Sequence, residues 1–247
     1  MTKTLQFLSA SCAAVLMAGC QKDNTPIKTT STDATSISTP ADSAQARGHS
    51  LVRVVNAVNG GKAVSVFLDD QSLFPDLMPG AVSDYREIAT NLAKFSVRAA
   101  GDTNGLRLAE KDRVLIDGNR YTVFLIAEDV SKSMLRVVKD DVIPDSGKAR
   151  IRVIHAAPGG PSLDVSIVGA TDKLFSGVSF KDESGYKDVT PAKVTIELRA
   201  KGQPKSLMTI PAVDLQRSTT TTIVITGAGK LSFFTFIDAM LPKTPKT

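Results

Sequence analysis

Two side chains offer the clearest prospect of chemistry in this chain, His155 and Asp164. An imidazole and a carboxylate brought face to face can bind a polar ligand or move a proton. The pair flanks Ala156-Ala157-Pro158-Gly159-Gly160-Pro161. A strand ending at His155 and a following strand carrying Asp164 would set them across a turn. The same groups can instead bond each other or turn backbone and fix the loop, and their setting favours this second use. A hydrolase would need a marked nucleophile, and Gly-x-Ser-x-Gly is absent. Asp140, Asp141 and Asp145 gather carboxylates of the kind Ca²⁺ takes, but Lys139 and Lys148 flank them and EF-hand spacing is missing. Gly227-Ala228-Gly229-Lys230 lacks the earlier glycine of a phosphate loop, since Val224 stands there, and reads as a hairpin turn. No metal and no cofactor are expected.

Cys20 carries a different chemistry. Residues 1–20 read MTKTLQFLSASCAAVLMAGC. Lys3 opens an apolar stretch from Leu5 to Met17 that is too short to span a bilayer and has the form of an export signal. Its ending, Leu16-Met17-Ala18-Gly19-Cys20, resembles a lipobox, although Met17 stands where Leu is usual. The resemblance implies cleavage before Cys20 and acylation of that residue, an anchor strengthened by every buried methylene. Asp does not follow Cys20 directly, which implies the outer membrane, and Gln21-Lys22-Asp23 resembles the export tag of surface lipoproteins. The expected location is the cell envelope, on the periplasmic face or the cell surface. Cys12 lies inside the signal, so the mature chain would hold neither a free thiol nor a disulfide.

The chain of 247 residues has a net charge of +5, with basic and acidic residues interleaved. No basic stripe suggests nucleic acid as a partner. Trp is absent and aromatics make up only 5%, which counts against a stacking platform for sugars. Residues 21–48 are rich in Ser, Thr and Ala with unpatterned hydrophobics, the composition of a flexible tether.

What must position these residues is an internal duplication. Val52-Arg53-Val54-Val55-Asn56-Ala57 recurs as Ile151-Arg152-Val153-Ile154-His155-Ala156, and Gly60-Gly61 as Gly159-Gly160. Leu73-Phe74, Ser83-Asp84-Tyr85, Val97-Arg98-Ala99 and Tyr121-Thr122-Val123 recur in the same order as Leu174-Phe175, Ser184-Gly185-Tyr186, Leu198-Arg199-Ala200 and Thr221-Thr222-Ile223. Period-2 patterns predict strands near 51–57, 63–69, 84–89, 93–99, 106–115, 120–127 and 133–139. In the second copy they fall near 149–155, 162–168, 185–190, 192–200, 206–213, 219–226 and 231–237. Seven short strands per copy predict an all-β chain of two tandem immunoglobulin-like antiparallel β-sandwiches. The expected organisation is a signal peptide at 1–19, the lipidated Cys and linker at 20–48, and repeats at 49–143 and 144–247. Alternation places Arg53 and Arg152 on the solvent side of their strands.

Arg150-Ile151-Arg152-Val153-Ile154-His155-Ala156-Ala157-Pro158, with Pro161, Leu163, Asp164 and Val165, resembles the opening motif of domain of unknown function 4397, found in tandem on exported bacterial proteins. Ser184-Gly185-Tyr186 and Leu198-Arg199-Ala200 resemble its middle segment. The first copy departs from the motif, with Asn56 for His and Ser65 for Asp. The resemblance implies fold and location, and no activity. The function expected is that of a membrane-anchored, non-enzymatic interaction or structural module with an envelope protein as partner. The alternative is a carbohydrate-binding or adhesion module, and His155, Asp164 and Tyr186 are the candidate ligand or partner surface on either reading. A hydrolase using His155 and Asp164 comes last. Tyr186 and Tyr85 equally fit a ligand surface or a brace at a sandwich corner.

Overall fold

In the first strand Val52 and Val54 face one way and Arg53 and Val55 the other, yet all four are buried. A strand covered on both faces needs a second layer on each side. The computed structural model, which describes residues 48–127 and 132–239, supplies those layers.

In the first repeat, β1 (His49–Asn56), β4 (Arg86–Ala89), β7 (Arg120–Ala127) and β8 (Ser133–Asp140) form one sheet in the order β4-β1-β7-β8. Its companion runs β3-β2-β5-β6, from β2 (Val64–Leu68), β3 (Gln71–Leu77), β5 (Leu92–Ala99) and β6 (Ala109–Val114). The second repeat copies both. β9 (Ala149–His155), β12 (Lys187–Val189), β15 (Thr219–Thr226) and β16 (Ser232–Ala239) take the order β12-β9-β15-β16. β10 (Leu163–Ile167), β11 (Lys173–Val178), β13 (Ala192–Ala200) and β14 (Ser206–Leu215) take the order β11-β10-β13-β14.

The all-β double sandwich read from the sequence is present, with two additions. One neighbouring pair per repeat is parallel, β1 with β7 and β9 with β15, among otherwise antiparallel pairings. Each repeat also holds an eighth strand, β3 or β11, on which the repeated Leu-Phe pair sits. In the first repeat this strand is reached by a two-residue turn, with Asp69 and Asp70 at φ 48° and 65°. Asp-Asp is a weaker hairpin signal than Asp-Gly, and Pro75 interrupts the strand's pattern.

Three apolar layers hold the stack. Val52, Val54, Val66, Phe95, Val97 and Val123 fill the first sandwich, and Ile151, Val153, Leu163, Ile196, Leu198 and Ile223 the second. A third layer joins the repeats, built from Val55, Ala57, Phe124, Ile126 and Val138 against Ile154, Ala156 and Val224. The sheets carrying β1 and β9 therefore lie inside the stack, and every residue of β15 is buried.

This third layer corrects the sequence expectation for two residues. Arg53 and Arg152 do point away from their own sandwich cores, as alternation requires. They do not reach solvent, being 4% and 0% exposed, because the other repeat covers that face.

Candidate functional site

His155 closes β9 in full burial. Its Nδ1 accepts the Ala157 N–H at 3.3 Å, which leaves Nε2 protonated to donate to the Pro161 carbonyl at 3.0 Å. Both ring nitrogens thus hold the Pro158-Gly159-Gly160-Pro161 loop, and Phe180 packs against the ring edge-on. Burial pushes the imidazole below its ordinary value, opposed by the Pro161 carbonyl. In the first repeat Asn56 shares the first of these bonds and directs the second to β3. Its Oδ1 accepts the Val58 N–H at 3.2 Å and its Nδ2 donates to the Leu77 carbonyl at 3.0 Å.

Asp164 is also buried, with both oxygens occupied. Oδ1 accepts from the Ser176 hydroxyl at 2.8 Å and the Gly177 N–H at 2.9 Å. Oδ2 accepts from Lys173 Nζ at 2.6 Å and the Gly202 N–H at 3.1 Å. Burial alone would raise its pKa, but Lys173 and these donors together hold the carboxyl well below the usual range. Ser65 fills the matching place in the first repeat, accepting the Asp76 N–H at 3.3 Å. His155 and Asp164 thus face different partners. The motif's His and Asp do structural jobs; Asn56 makes as many bonds as His155, and Ser65 fewer than Asp164.

A stability profile separates this role from a functional one. The folded pKa of His155 lies below its unfolded value, so unfolding takes up a proton in the window between them. His155 therefore contributes stability that is complete above pH 6.5 and lost as pH falls below it. His155→Asn, which copies the first repeat, should fold and flatten that part of the profile. His155→Ala should cost about 1–3 kcal/mol by leaving the loop groups unpaired. Urea melts from pH 5 to 8 measure both, and an unchanged profile for either variant would contradict the structural role.

Tyr186 belongs to a different constellation, which sequence reasoning missed. Arg53 donates through Nε to Thr122 Oγ1 at 2.9 Å and through Nη2 to Asp238 Oδ2 at 2.7 Å, with Nη1 on Asp238 Oδ1. Arg152 donates through Nε to Thr222 Oγ1 at 2.9 Å, and its Nη2 lies 2.8 Å from Asp140 Oδ1. Each arginine thus pairs with the aspartate of the other repeat. Tyr85 and Phe236 flank the Arg53 guanidinium at 4.5 and 4.6 Å, while Tyr186 and Phe124 flank that of Arg152 at 5.0 and 5.6 Å. The Tyr85 hydroxyl donates to Asp140 at 2.9 Å, and the Tyr186 hydroxyl lies 3.4 Å from the same carboxylate. Burial pushes both phenols above their ordinary value. The tyrosines brace the joint between the repeats. The signal was present in the sequence as an Arg amid β-branched residues and an Asp near the end of the last strand, each found twice.

The acidic cluster disperses. Asp140 is buried with Arg152, Asp141 pairs with Arg150 at 2.7 Å, and the Asp145 N–H donates to Asp188. Among the described residues, no three His, Cys, Asp or Glu side chains are grouped to hold a metal. Gly227 to Leu231 form the turn between β15 and β16, as expected. Cys20, the signal and the tether to Arg47 lie outside the described residues.

The remaining feature is a cleft of about 800 Å³ where β1 and β9 end. Val58, Leu108, Leu125, Ala156, Pro158 and Ala228 line it, with Lys62 at one side. Both repeats contribute, through the Gly60-Gly61 loop of one and the Gly159 and Gly227 loops of the other. No Phe or Tyr is among the described residues that line it.

Residues 50–166 match the model of a family described as a domain of unknown function, DUF4397. That segment is similar to a DUF4397 domain. The DUF4397 match takes in the whole first repeat together with β9 and most of β10. It therefore spans both Gly-Gly loops and both arginines of the joint. No curated protein matches the chain. Among solved structures, the chain is similar to a family 26 carbohydrate-binding module of Eubacterium rectale Amy13K in complex with maltoheptaose, at 12% identity and a TM-score of 0.23, over 79% of this chain and 98% of that one. A candidate cell adhesion protein from Bacteroides ovatus is similar at 9% identity and a TM-score of 0.27, over 80% and 99%. Another from Parabacteroides distasonis is similar at 10% identity and a TM-score of 0.24, over 77% and 98%. At such TM-scores the likeness carries no argument about function.

Proposed function

We propose that this protein is a non-enzymatic binding module of the cell envelope, held on the outer membrane by lipidated Cys20 and engaging an envelope protein through its inter-repeat cleft. The observation that carries this reading is the polarity of β1. The tether enters β1 at His49, and the cleft lies beyond its other end at Asn56. Eight residues of strand separate the two by roughly 23 Å, so the cleft lies at the end of β1 away from the point of attachment. The occupied polar atoms of His155 and Asp164 support binding over catalysis, since neither has a free group to offer a substrate. The aliphatic lining favours side chains of a protein over the faces of a sugar.

In-cell cross-linking of the full chain, followed by mass spectrometry, tests the reading. Ala228 sits on an exposed loop of the cleft, and Ala228→Trp fills the space with little cost to the fold. A specific envelope protein should be captured by the natural chain and reduced at least about tenfold by that variant, a loss of about 1.4 kcal/mol in binding. Equal capture by both would overturn the role of the cleft. Incorporation of labelled palmitate, lost in Cys20→Ser, tests the anchor separately.

A further inference from the structure

Among the described residues, eight strands stand at sheet edges, namely β3, β4, β6, β8, β11, β12, β14 and β16. An edge offers unpaired N–H and C=O groups to any passing strand, and folded chains block such edges with charge, proline, bulges or brevity. Seven of these eight are blocked. β4 and β12 have only four and three residues. β3 carries Pro75 and a register break, with Asp76 at φ 53°. β14 carries Pro211 and a register break, with Ala212 at φ 57°. β11 is broken in register and has Gly177 at φ 69°. β6 has four consecutive charged residues, Glu110 to Arg113, and β8 has Arg136 and Lys139.

β16 has none of these devices. Its eight residues pair with β15 in unbroken register, without proline, lysine, arginine or a left-handed backbone angle. Its one charge, Asp238, is buried and neutralised by Arg53. Phe233 and Ile237 remain 37% and 45% exposed, although Leu135, at the place in β8 matching Phe233, is 2% exposed.

We propose that two copies of this chain associate through the open edge of β16, continuing the β12-β9-β15-β16 sheet across a two-fold axis. The strand is complementary to itself. An antiparallel pairing centred on Thr235 sets Phe233 against Ile237, Phe234 against Phe236 and Ser232 against Asp238. Aromatic and β-branched pairs of this kind stabilise facing strands, and no like charges meet. Phe234 and Phe236 already pack on the core between the repeats, so the pairing extends that apolar layer from one copy to the next. The same patch serves on both copies, which closes the assembly as a dimer.

Cysteine placement makes the test direct. The full chain has cysteine only at 12 and 20, in the signal and at the proposed lipid site. Paired residues at an antiparallel two-fold have Cα atoms roughly 4.5–5.5 Å apart, within reach of a disulfide. Thr235→Cys in the full chain, oxidised in intact envelopes, should give most of the protein as a self-linked dimer on a non-reducing gel. Glu110→Cys, on the blocked edge β6, and the unmodified chain should stay monomeric. Adding Ile237→Lys to Thr235→Cys should cut the linked fraction at least tenfold, with an unchanged melting curve showing that the fold survives. A monomer band for Thr235→Cys, or a disulfide to a different protein in its place, would overturn the proposal.

Discussion

Asp140→Ala should destabilise the folded chain by about 3–5 kcal/mol, the cost of leaving a buried guanidinium without its counter-ion. Asp140 is 6% exposed and takes the Thr122 hydroxyl at 2.6 Å, the Tyr85 hydroxyl at 2.9 Å and Arg152 at 2.8 Å. With the carboxylate gone, Arg152 stays fully buried with the Thr222 bond at Nε and the Tyr186 and Phe124 rings, and no counter-ion in contact. Burial works to lower its pKa, and Asp140 leads the contributions that outweigh burial and raise it above the ordinary value. The double variant Asp140→Leu with Arg152→Met should recover most of the loss, because an apolar pair of similar volume avoids the desolvation of two charges. Urea denaturation of the natural chain, Asp140→Leu, Arg152→Met and the double variant at pH 7 completes the cycle. Additive losses in the double variant would show that the two residues do not act as a pair.

Separating the repeats should have a larger effect still. A chain of residues 48–143 uncovers Val55, Phe124, Ile126 and Val138, all buried against the second repeat. Each such side chain is worth about 1.5–3 kcal/mol on burial, so four amount to on the order of 10 kcal/mol. That equals the whole stability of an ordinary domain. Arg53 would also lose Asp238. The isolated first repeat should therefore show no cooperative unfolding as a monomer, by circular dichroism and sedimentation together. A monomeric first repeat melting near the full chain would mean that the third apolar layer adds little. The DUF4397 match running on into β10 is consistent with a unit larger than one sandwich.

Much of this architecture was legible in the chain. Alternating β-branched residues located fourteen of the sixteen strands, because period 2 follows from backbone geometry alone. β3 and β11 escaped since they are edge strands broken by Pro75 and Gly177, and an interrupted pattern carries little signal. The repeated Ser-x-Tyr block was visible, but its meaning was not. Ser83 and Ser184 each accept a strand N–H at 2.9 Å, at Val54 and Val153, while Tyr85 and Tyr186 meet at the carboxylate of Asp140, Tyr186 from the other repeat.

The site was read less well, and the reason is physical. His155 and Asp164 drew notice through residue type, but type does not say whether a polar atom meets a ligand or a backbone group a few residues away. Asn56 and Ser65 looked like losses in the first copy, yet each also bonds backbone groups and fixes its own repeat. Arg53 and Arg152 were assigned to the correct side of their strands and the wrong environment. Alternation along one strand states which side chains share a face, and this the sequence by itself determined, along with the duplication and the all-β class. What covers that face depends on residues some hundred positions away. Only the tertiary structure could bring Asp238 to Arg53 and Asp140 to Arg152, turn an apparent surface into a core, and leave β16 as the open edge.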